Sequence, residues 1–273
     1  MSAVAVQPRR ARRQRRIGAK IAGVTGEILI TAGVLVGLFV VWQWFWTDFI
    51  ALREQAVMLQ ELPWEPPAPV VALPVLERRT DPPIDPRPAD EEIFGQMWIP
   101  RFGADWTSPL AGGTDRVRVL DRLGVGLFED AAMPGEVGNF ATAGHRTTFG
   151  RPYHLIAELQ EGDPIIIRTE STWFVYRVFT HMVDPGTGME ITSPVIVLPN
   201  QVDVVAPIPG LQDGELLPEL TQRYMTLVSC HPIGSARERI IVHAVFDFWM
   251  PVEDGIPQLL IDAGVFANPE GMV

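Results

Sequence analysis

Cys230 is the one cysteine in this chain of 273 residues and its strongest candidate nucleophile. A single cysteine excludes an internal disulfide bond and any metal site that needs several thiolates. Most lone cysteines are small buried side chains, but this one, in the phrase TLVSCHP, ends a predicted strand, where a rigid element can present a side chain at a cleft. Arg237 and Arg239 follow within nine residues, and guanidinium groups favour the reactive thiolate form of a nearby cysteine.

A cysteine that attacks an amide also needs a group that protonates the leaving amine, and histidine suits this task. His145, in GNFATAGHRTTFG, lies where an apolar strand runs into a polar loop, and it is the favoured candidate. His231 adjoins Cys230, but neighbours on an extended chain point to opposite faces. The other histidines lie inside predicted strands or open a predicted helix, without a catalytic context: His154, His181 and His243.

An arginine near the thiol would serve as a fixed hydrogen-bond donor, because its guanidinium group does not release a proton. Such a donor stabilises the oxyanion that forms when a nucleophile attacks a carbonyl. Arg237 and Arg239 lie two residues apart on a predicted strand and therefore on one face, so the spacing leaves both open.

The elements that must position these residues are short, β-rich and separated by Gly and Pro. One helical pattern, residues 153–159, interrupts them. Eight short strands in about 160 residues predict a mainly β domain, a closed or nearly closed barrel or a sandwich, rather than βαβ units. The predicted strands are residues 96–99, 140–143, 164–168, 173–183, 195–198, 202–206, 224–229 and 240–249.

The N-terminal part predicts a membrane anchor. Residues 28–46 form an apolar stretch long enough to cross a bilayer core of about 30 Å. The stretch is longer than the core of a cleaved signal peptide and ends in tryptophans rather than small residues, so we expect it to be retained. Seven of the 22 basic residues lie in the first 20 positions, which predicts a cytoplasmic N-terminus and an extracellular body. That body is strongly acidic, which excludes a nucleic-acid binder.

The segment after the anchor holds nine prolines between Pro63 and Pro88, which predicts an extended, semi-stiff spacer. An alternative is that residues 81–88 fold over the active site as a lid. The predicted organisation is a basic cytoplasmic tail (1–27), a transmembrane helix (28–46), a Pro-rich extracellular tether (47–91), a catalytic domain (92–251) and a C-terminal tail without a second span (252–273).

The phrases PGEVGNFATAGHRTTFG and SCHPIGSARERIIVHA resemble those of class E sortases from high-GC Gram-positive bacteria, over residues 96–246. The resemblance implies an eight-stranded sortase-type β-barrel with a few short helices, preceded by one transmembrane helix. It also implies a cysteine transpeptidase in which Cys230 attacks a sorting signal between Thr and Gly and forms a thioacyl intermediate. His145 would protonate the departing amine, and Arg239, favoured over Arg237 by its position in the motif, would bind the oxyanion.

The resemblance further implies partners: surface proteins with LAXTG-like or LPXTG-like signals, and an amine of a cell-wall precursor as acceptor. Neither a metal nor an organic cofactor is required. The chain departs from the family pattern at Ser229, where threonine is usual, and at Leu127-Phe128, where a His-Tyr pair is common. The second departure bears on substrate specificity.

Three other interpretations are weighed against a wall-anchoring sortase. A pilin-polymerising sortase is the nearest, although such enzymes commonly carry a second span or an aromatic lid motif. A non-catalytic binding module on the same barrel is disfavoured by the intact Cys230, His145 and Arg239 set. An L,D-transpeptidase would place His and Gly directly before its cysteine, where this chain has Val228 and Ser229.

Overall fold

The structure, a computed structural model, describes residues 9–68, 70–72, 76–212 and 220–267. It divides into two compact units, one that ends at Thr47 and one that begins at Asp48. Parts of the predicted basic tail (1–8) and of the predicted C-terminal tail (268–273) lie outside the described residues.

Helix α1 (Arg9–Glu61) contains the predicted span 28–46. Its segment Ala19–Trp42 has a mean hydropathy of 2.2 and is long and apolar enough to cross a membrane. The helix continues to Glu61, as the sequence predicts for residues 51–60, and ends two residues before Pro63, which cannot continue a helix without losing a hydrogen bond.

The remaining elements belong to the second unit and are mostly strands. In chain order they are β1 (Val71–Ala72), β2 (Ile93–Trp98), β3 (Ser108–Gly112), β4 (Val125–Leu127), β5 (Gly138–Ala143), β6 (Pro164–Arg168), β7 (Thr172–Val178), β8 (His181–Val183), β9 (Glu190–Thr192), β10 (Val195–Val197), β11 (Arg223–His231), β12 (Glu238–Pro251), β13 (Ile256–Pro257) and α2 (Gln258–Asp262).

Eight of these strands close a barrel in the order β12-β11-β5-β4-β3-β2-β6-β7. The long strand β12 makes the closure possible because it changes partners along its length. Its first part pairs with β11 and β10, and its second part pairs with β7, with a register shift between Phe246 and Phe248. Closure leaves no exposed sheet edge in the ring, which confirms the predicted mainly β barrel.

The interior of the barrel is filled by apolar side chains from alternate positions, among them Met97, Leu110, Phe140, Tyr176 and Leu227. A second cluster lies on the outside, where Trp98, Trp173 and Phe248 are covered by residues of the C-terminal segment such as Val252 and Leu260. The strands are therefore buried on both faces over much of their length, which is why several read as continuous apolar runs.

Most predicted strands are confirmed within two or three residues, and four predictions differ. The predicted strand 173–183 breaks after Val178, and the predicted helix 153–159 is reduced to one 3₁₀ turn, Ile156–Glu158. The predicted strand 202–206 is wrong: Val202–Val205 is a 3₁₀ turn, closed where the Ala206 N–H bonds to the Asp203 carbonyl. Two strands of the barrel, β3 and β4, were not expected, because SPLAG and VGL are short and contain the residues that usually mark turns. Three short strands outside the barrel, β1, β9 and β13, were not expected either.

The Pro-rich segment, which the sequence predicts to be an extended, semi-stiff spacer, pairs with other parts of the second unit. Its strand β1 pairs in parallel with β13, and Arg78 exchanges two backbone hydrogen bonds with Trp249 of β12, both of 2.9 Å. An extended chain does not pair its backbone N–H and C=O groups with each other, so they need partners elsewhere. Here such partners lie on the outside of the barrel. The compact unit therefore begins before residue 92.

Residues 81–88, for which a lid was the alternative to a spacer, lie far from Cys230. Asp81 forms an ion pair with Arg223 at the first residue of β11, and Arg87 donates to the carbonyl of Glu129 at 2.8 Å. Seven residues of extended strand separate Arg223 from Cys230, which is roughly 23 Å. A segment held at the first end of β11 does not cover a site at the other end.

His243 on β12 is a packed core residue, as the sequence suggests for it. Its Nδ1 lies 2.9 Å from the hydroxyl of Thr226, which itself donates to Asn139 at 2.8 Å, so the ring nitrogen donates. Burial lowers the pKa of His243 to about 4, because a charged imidazolium would lose its hydration.

We expect this burial to make the domain less stable in mild acid. The unfolded chain takes up a proton at His243 near pH 6.5 and the folded chain only near pH 4, so the free energy of unfolding should fall by on the order of 3 kcal/mol between these values. The measurement is urea unfolding at pH 7 and at pH 4.5. His243→Gln should lack this part of the fall in the free energy of unfolding between the two pH values. His181→Gln, on the exposed strand β8, is the matched control and should retain it. Equal pH dependence in both variants would contradict the assignment.

Candidate functional site

Cys230 lies one residue before the end of β11 and is half-buried. In the antiparallel pairing of β11 with β12, its partner is Arg239. Residues directly opposite each other on paired strands point to the same face, with Cβ atoms about 4.5–5.5 Å apart. The register therefore places the thiol and the Arg239 side chain on one face.

His145 reaches the same place from the other side of β11. Strands β5 and β11 are parallel, with Ala143 paired to Val228, and the same register carried two residues further sets His145 beside Cys230. Neighbouring strands lie about 4.8 Å apart. Cys230 on β11, Arg239 on β12 and His145, two residues after the end of β5, thus lie at one end of the barrel.

Two hydrogen bonds hold β5 and β11 together at this end. The N–H of Gly144 donates to the carbonyl of Val228 at 3.1 Å, and the hydroxyl of Ser229 donates to the carbonyl of Gly144 at 2.8 Å. Ser229, which precedes Cys230, is therefore bonded to Gly144, which precedes His145. Ser229 supplies this bond with the hydroxyl that it shares with threonine, the usual residue in the family pattern.

Asp121 is a site residue that the sequence analysis missed. One of its carboxylate oxygens lies 2.6 Å from Nε2 of His145, and the two side chains are only 18% and 13% exposed. A carboxylate can only accept, so Nε2 carries the proton and Nδ1 is the nitrogen left to exchange one. Asp121 lies 24 residues before His145 in a loop, and no local motif marks it.

A short π-helical turn, Arg116–Leu120, delivers Asp121 to the histidine. The turn begins at Asp115, whose carboxylate accepts from the N–H groups of Val117 at 3.1 Å and Arg118 at 2.8 Å. The bond from the Arg118 N–H lowers the pKa of Asp115; desolvation acts in the opposite direction, and the nearby Arg118 charge lowers it further. The cap fixes where the turn starts, and Asp121 is the residue that follows its last one.

Arg146 supports the nucleophile from behind. Its side chain is buried, with 6% exposure, and its guanidinium group donates to the carbonyl of Cys230 at 3.3 Å and to Nδ1 of His231 at 3.0 Å. Burial lowers the pKa of Arg146, and its electrostatic interaction with Cys230 raises it. Arg146 and His231 are therefore placed to fix the backbone at Cys230.

The structure separates the two arginines that the sequence left open. Arg239 is half-buried on β12 opposite Cys230, and its Nη1 donates to the carbonyls of Ala236 at 3.0 Å and Glu238 at 2.9 Å. Arg237 precedes the first residue of β12 and is exposed. The register thus brings Arg239, and not Arg237, opposite the thiol.

The other histidines lie elsewhere. His181 is exposed on β8, His243 is in the core, and His154 packs its ring 6.5 Å from that of Phe102. Burial and the charge of Arg151 lower the pKa of His154. Of the two residues expected to bear on specificity, Leu127 is buried in the core and Phe128 is half-buried against it. Among the residues that the structure describes, no three Cys, His, Asp or Glu side chains cluster as metal ligands.

Comparison with known proteins places this arrangement in a family. Residues 97–247, more than half of the chain, match the sortase domain. Sortase SrtE1 of Streptomyces coelicolor is 32% identical over 265 residues, a match that takes in 94% of this chain and 66% of that protein, so the chain spans about two thirds of its relative's length.

Two solved structures agree with this match. The SrtA sortase from Actinomyces oris has a TM-score of 0.57 and 34% identity, and covers 71% of this chain and 98% of its own. Sortase E1 from Streptomyces coelicolor, solved with a tripeptide in the active site, has a TM-score of 0.52 and 33% identity, and covers 63% of this chain and 99% of its own. These likenesses and the closed barrel show that the chain belongs to the sortase family of cysteine transpeptidases, and within it to class E.

Proposed function

We propose that this sortase uses Cys230 to cleave a C-terminal sorting signal. It then transfers the protein that carried the signal to an amine. The observation that carries the proposal is that Cys230 on β11, Arg239 on β12 and His145, two residues after β5, lie at one end of the barrel. A nucleophile, a group that can move a proton and a fixed donor are the three parts that acyl transfer through a thioester needs.

In the first half of the reaction Nδ1 of His145 takes the thiol proton of Cys230, and the resulting thiolate attacks the carbonyl carbon of the signal's threonine. The tetrahedral oxyanion is stabilised by the guanidinium group of Arg239, which stays protonated throughout. The carbon–nitrogen bond to glycine then breaks as Nδ1 of His145 gives its proton to the departing amine. In the second half an amine attacks the thioester, His145 takes up a proton, and the thiolate of Cys230 leaves.

Asp121 would act as a positioning residue in both halves. Because its carboxylate holds the Nε2–H of His145, the ring keeps one orientation and one tautomer, with Nδ1 available for proton transfer. The two side chains are mostly shielded from water, which strengthens the hydrogen bond between them.

The substrate class follows from the family. A class E relative holds a tripeptide in its active site, which supports a peptide substrate here. We propose an LAXTG-like signal, with LPXTG as the alternative, and an amine of a cell-wall precursor as acceptor. The physiological role would be anchoring of surface proteins rather than pilin polymerisation.

The proposed location is the outer face of the cell membrane. The segment Ala19–Trp42 supports a single anchor, and the basic residues before it favour a cytoplasmic N-terminus. The domain from Asp48 onward would then be extracellular, where sorting signals and wall precursors meet.

The first test asks for the covalent intermediate. The full chain in detergent, mixed with LAXTG or LPXTG peptides, should gain the mass of the acyl fragment, and an added amine should turn the adduct into a ligated product. Cys230→Ala should show neither, because the chain has no other thiol. Turnover retained by Cys230→Ala would remove the nucleophile assignment, and a wild-type chain that forms no adduct with either peptide would remove the proposed signal class.

The second test compares the two arginines. Arg239→Ala should lower kcat by about 10²–10³, the usual cost of one oxyanion donor. Arg237→Ala, two residues earlier and exposed, is the matched control and should stay near the wild-type rate. A larger loss in the control would show that the wrong arginine is assigned.

The third test addresses Asp121. Asp121→Asn presents an amide that can donate to Nε2 of His145 and so favours the wrong tautomer. We expect kcat to fall by about 10² or more with KM little changed, since general acid–base catalysis contributes about 10²–10⁴. Asp130→Asn, an exposed carboxylate in the loop after β4, is the control. A rise in KM alone would contradict a role through His145.

A further inference from the structure

The last part of α1 packs on the two segments that bring His145 and Asp121 together. Asp48, Ala51, Gln55 and Met58 lie at positions i, i+3, i+7 and i+10 and therefore on one helix face. Ala51 and Gln55 are each only 4% exposed, and Met58 packs against the cluster that contains Val119. This face is buried although its residues are not uniformly apolar.

Asp48 contacts the loop that follows His145. One carboxylate oxygen accepts from the N–H of Gly150 at 3.2 Å, and the other lies 3.0 Å from Nε of Arg151. The Asp48 side chain is 14% exposed, against 51% for Arg151. The Asp48 carboxylate is mostly buried and accepts from one backbone donor and one charged donor. It is therefore held more strongly than a carboxylate in an exposed salt bridge.

The backbone of that loop is strained where Asp48 binds it. Phe149 and Arg151 have φ of 55° and 40°, and Gly150 between them has φ of 79°. The left-handed region costs roughly 1–2 kcal/mol for a residue with a Cβ, so the surroundings must hold these residues there. The conformation of this loop bears directly on the site, because the ring of Phe149 lies 5.4 Å from the ring of His145.

Gln55, two helical turns after Asp48, contacts the other segment. Its Nε2 donates to the carbonyl of Arg122 at 3.4 Å, and Arg122 follows Asp121. Its side-chain oxygen lies 3.2 Å from where a Cβ on Gly150 would be, so the same side chain also packs on the His145 loop. One helix face therefore bonds to the chain on both sides of the His145–Asp121 hydrogen bond.

We propose that Asp48 and Gln55, here called the α1 clamp, are positioning residues that set the distance and angle between His145 and Asp121. The inference rests on the proposed function, since it assigns a catalytic consequence to the clamp. A structural role alone would lower stability and leave the kinetics of the folded enzyme intact. The clamp would instead lower kcat and leave KM unchanged, because it touches the proton-transfer group and not the peptide.

The experiment uses the full chain in detergent or lipid nanodiscs, with LAXTG peptide and amine. Asp48→Ala should lower kcat by about tenfold or more, since a displacement of about 1 Å at a catalytic group can cost 10²-fold. Asp48→Asn keeps an acceptor for Gly150 and should recover part of the loss. Asp247→Ala is the matched control, because Asp247 is 16% exposed, pairs with Arg177 at 3.0 Å and lies on the far part of β12. It should keep the wild-type kcat.

A double-variant comparison separates positioning from stability. If Asp48 acts through the His145–Asp121 pair, its effect on kcat should largely disappear in the Asp121→Asn background. The same tenfold loss in both backgrounds, or a loss equal to that of Asp247→Ala, would overturn the proposal. If Asp48→Ala fails to fold, Asp48→Asn and Gln55→Ala carry the comparison.

Hydrogen–deuterium exchange of residues 144–153 gives a readout that does not need activity. Asp48→Ala should speed exchange in this segment and leave the rest of β11 and β12 protected, and unchanged exchange would overturn the clamp. If the wild-type chain shows no transpeptidation while exchange responds as expected, the proposed function fails and the structural contact stands. The two failures are thus distinguishable.

Discussion

The parallel pairing of β5 with β11 is the constraint on which the rest of the site depends. It sets His145 beside Cys230, and β12 on the other side of β11 adds Arg239. A slip of one residue would turn every side chain of a strand to the opposite face. Slippage is opposed because β5 is buried along its whole length and because the side-chain bond from Ser229 to Gly144 fits one register only. The position of the three candidate residues is thus a consequence of how the core packs.

The barrel is closed by a strand that serves two roles. The first part of β12 carries Arg239 beside β11, and its second part closes the ring with β7 and carries the outer cluster that the C-terminal segment covers. The Pro-rich segment binds to this second part at Trp249. Elements that stabilise closure therefore gather away from Cys230.

The sequence predicted a set of candidate site residues, but not the residues that hold them in place. Cys230, His145 and Arg239 were identified from residue type and motif, but spacing could not separate Arg239 from Arg237, which required the pairing of two strands. Asp121 was missed because its role arises from a loop that folds back over 24 residues, and nothing local distinguishes it from other acidic loop residues. The Pro-rich segment was correctly predicted as extended, but the partners of its backbone lie about 170 residues later in the chain.

Helix α1 meets two different requirements along its length, and its composition changes accordingly. Residues 28–42 are apolar except for Thr31, as a span through lipid requires, because lipid offers no partner to a polar group. From Asp48 the helix becomes one-sided, and its buried face includes a carboxylate and an amide where Leu or Ala would bury more apolar surface. Such polar groups are tolerated in a buried face only when their hydrogen bonds are made, and here they are made to Gly150 and Arg122. Those bonds serve the loops of the catalytic site, so the choice of residues on this face follows from the site more than from the helix.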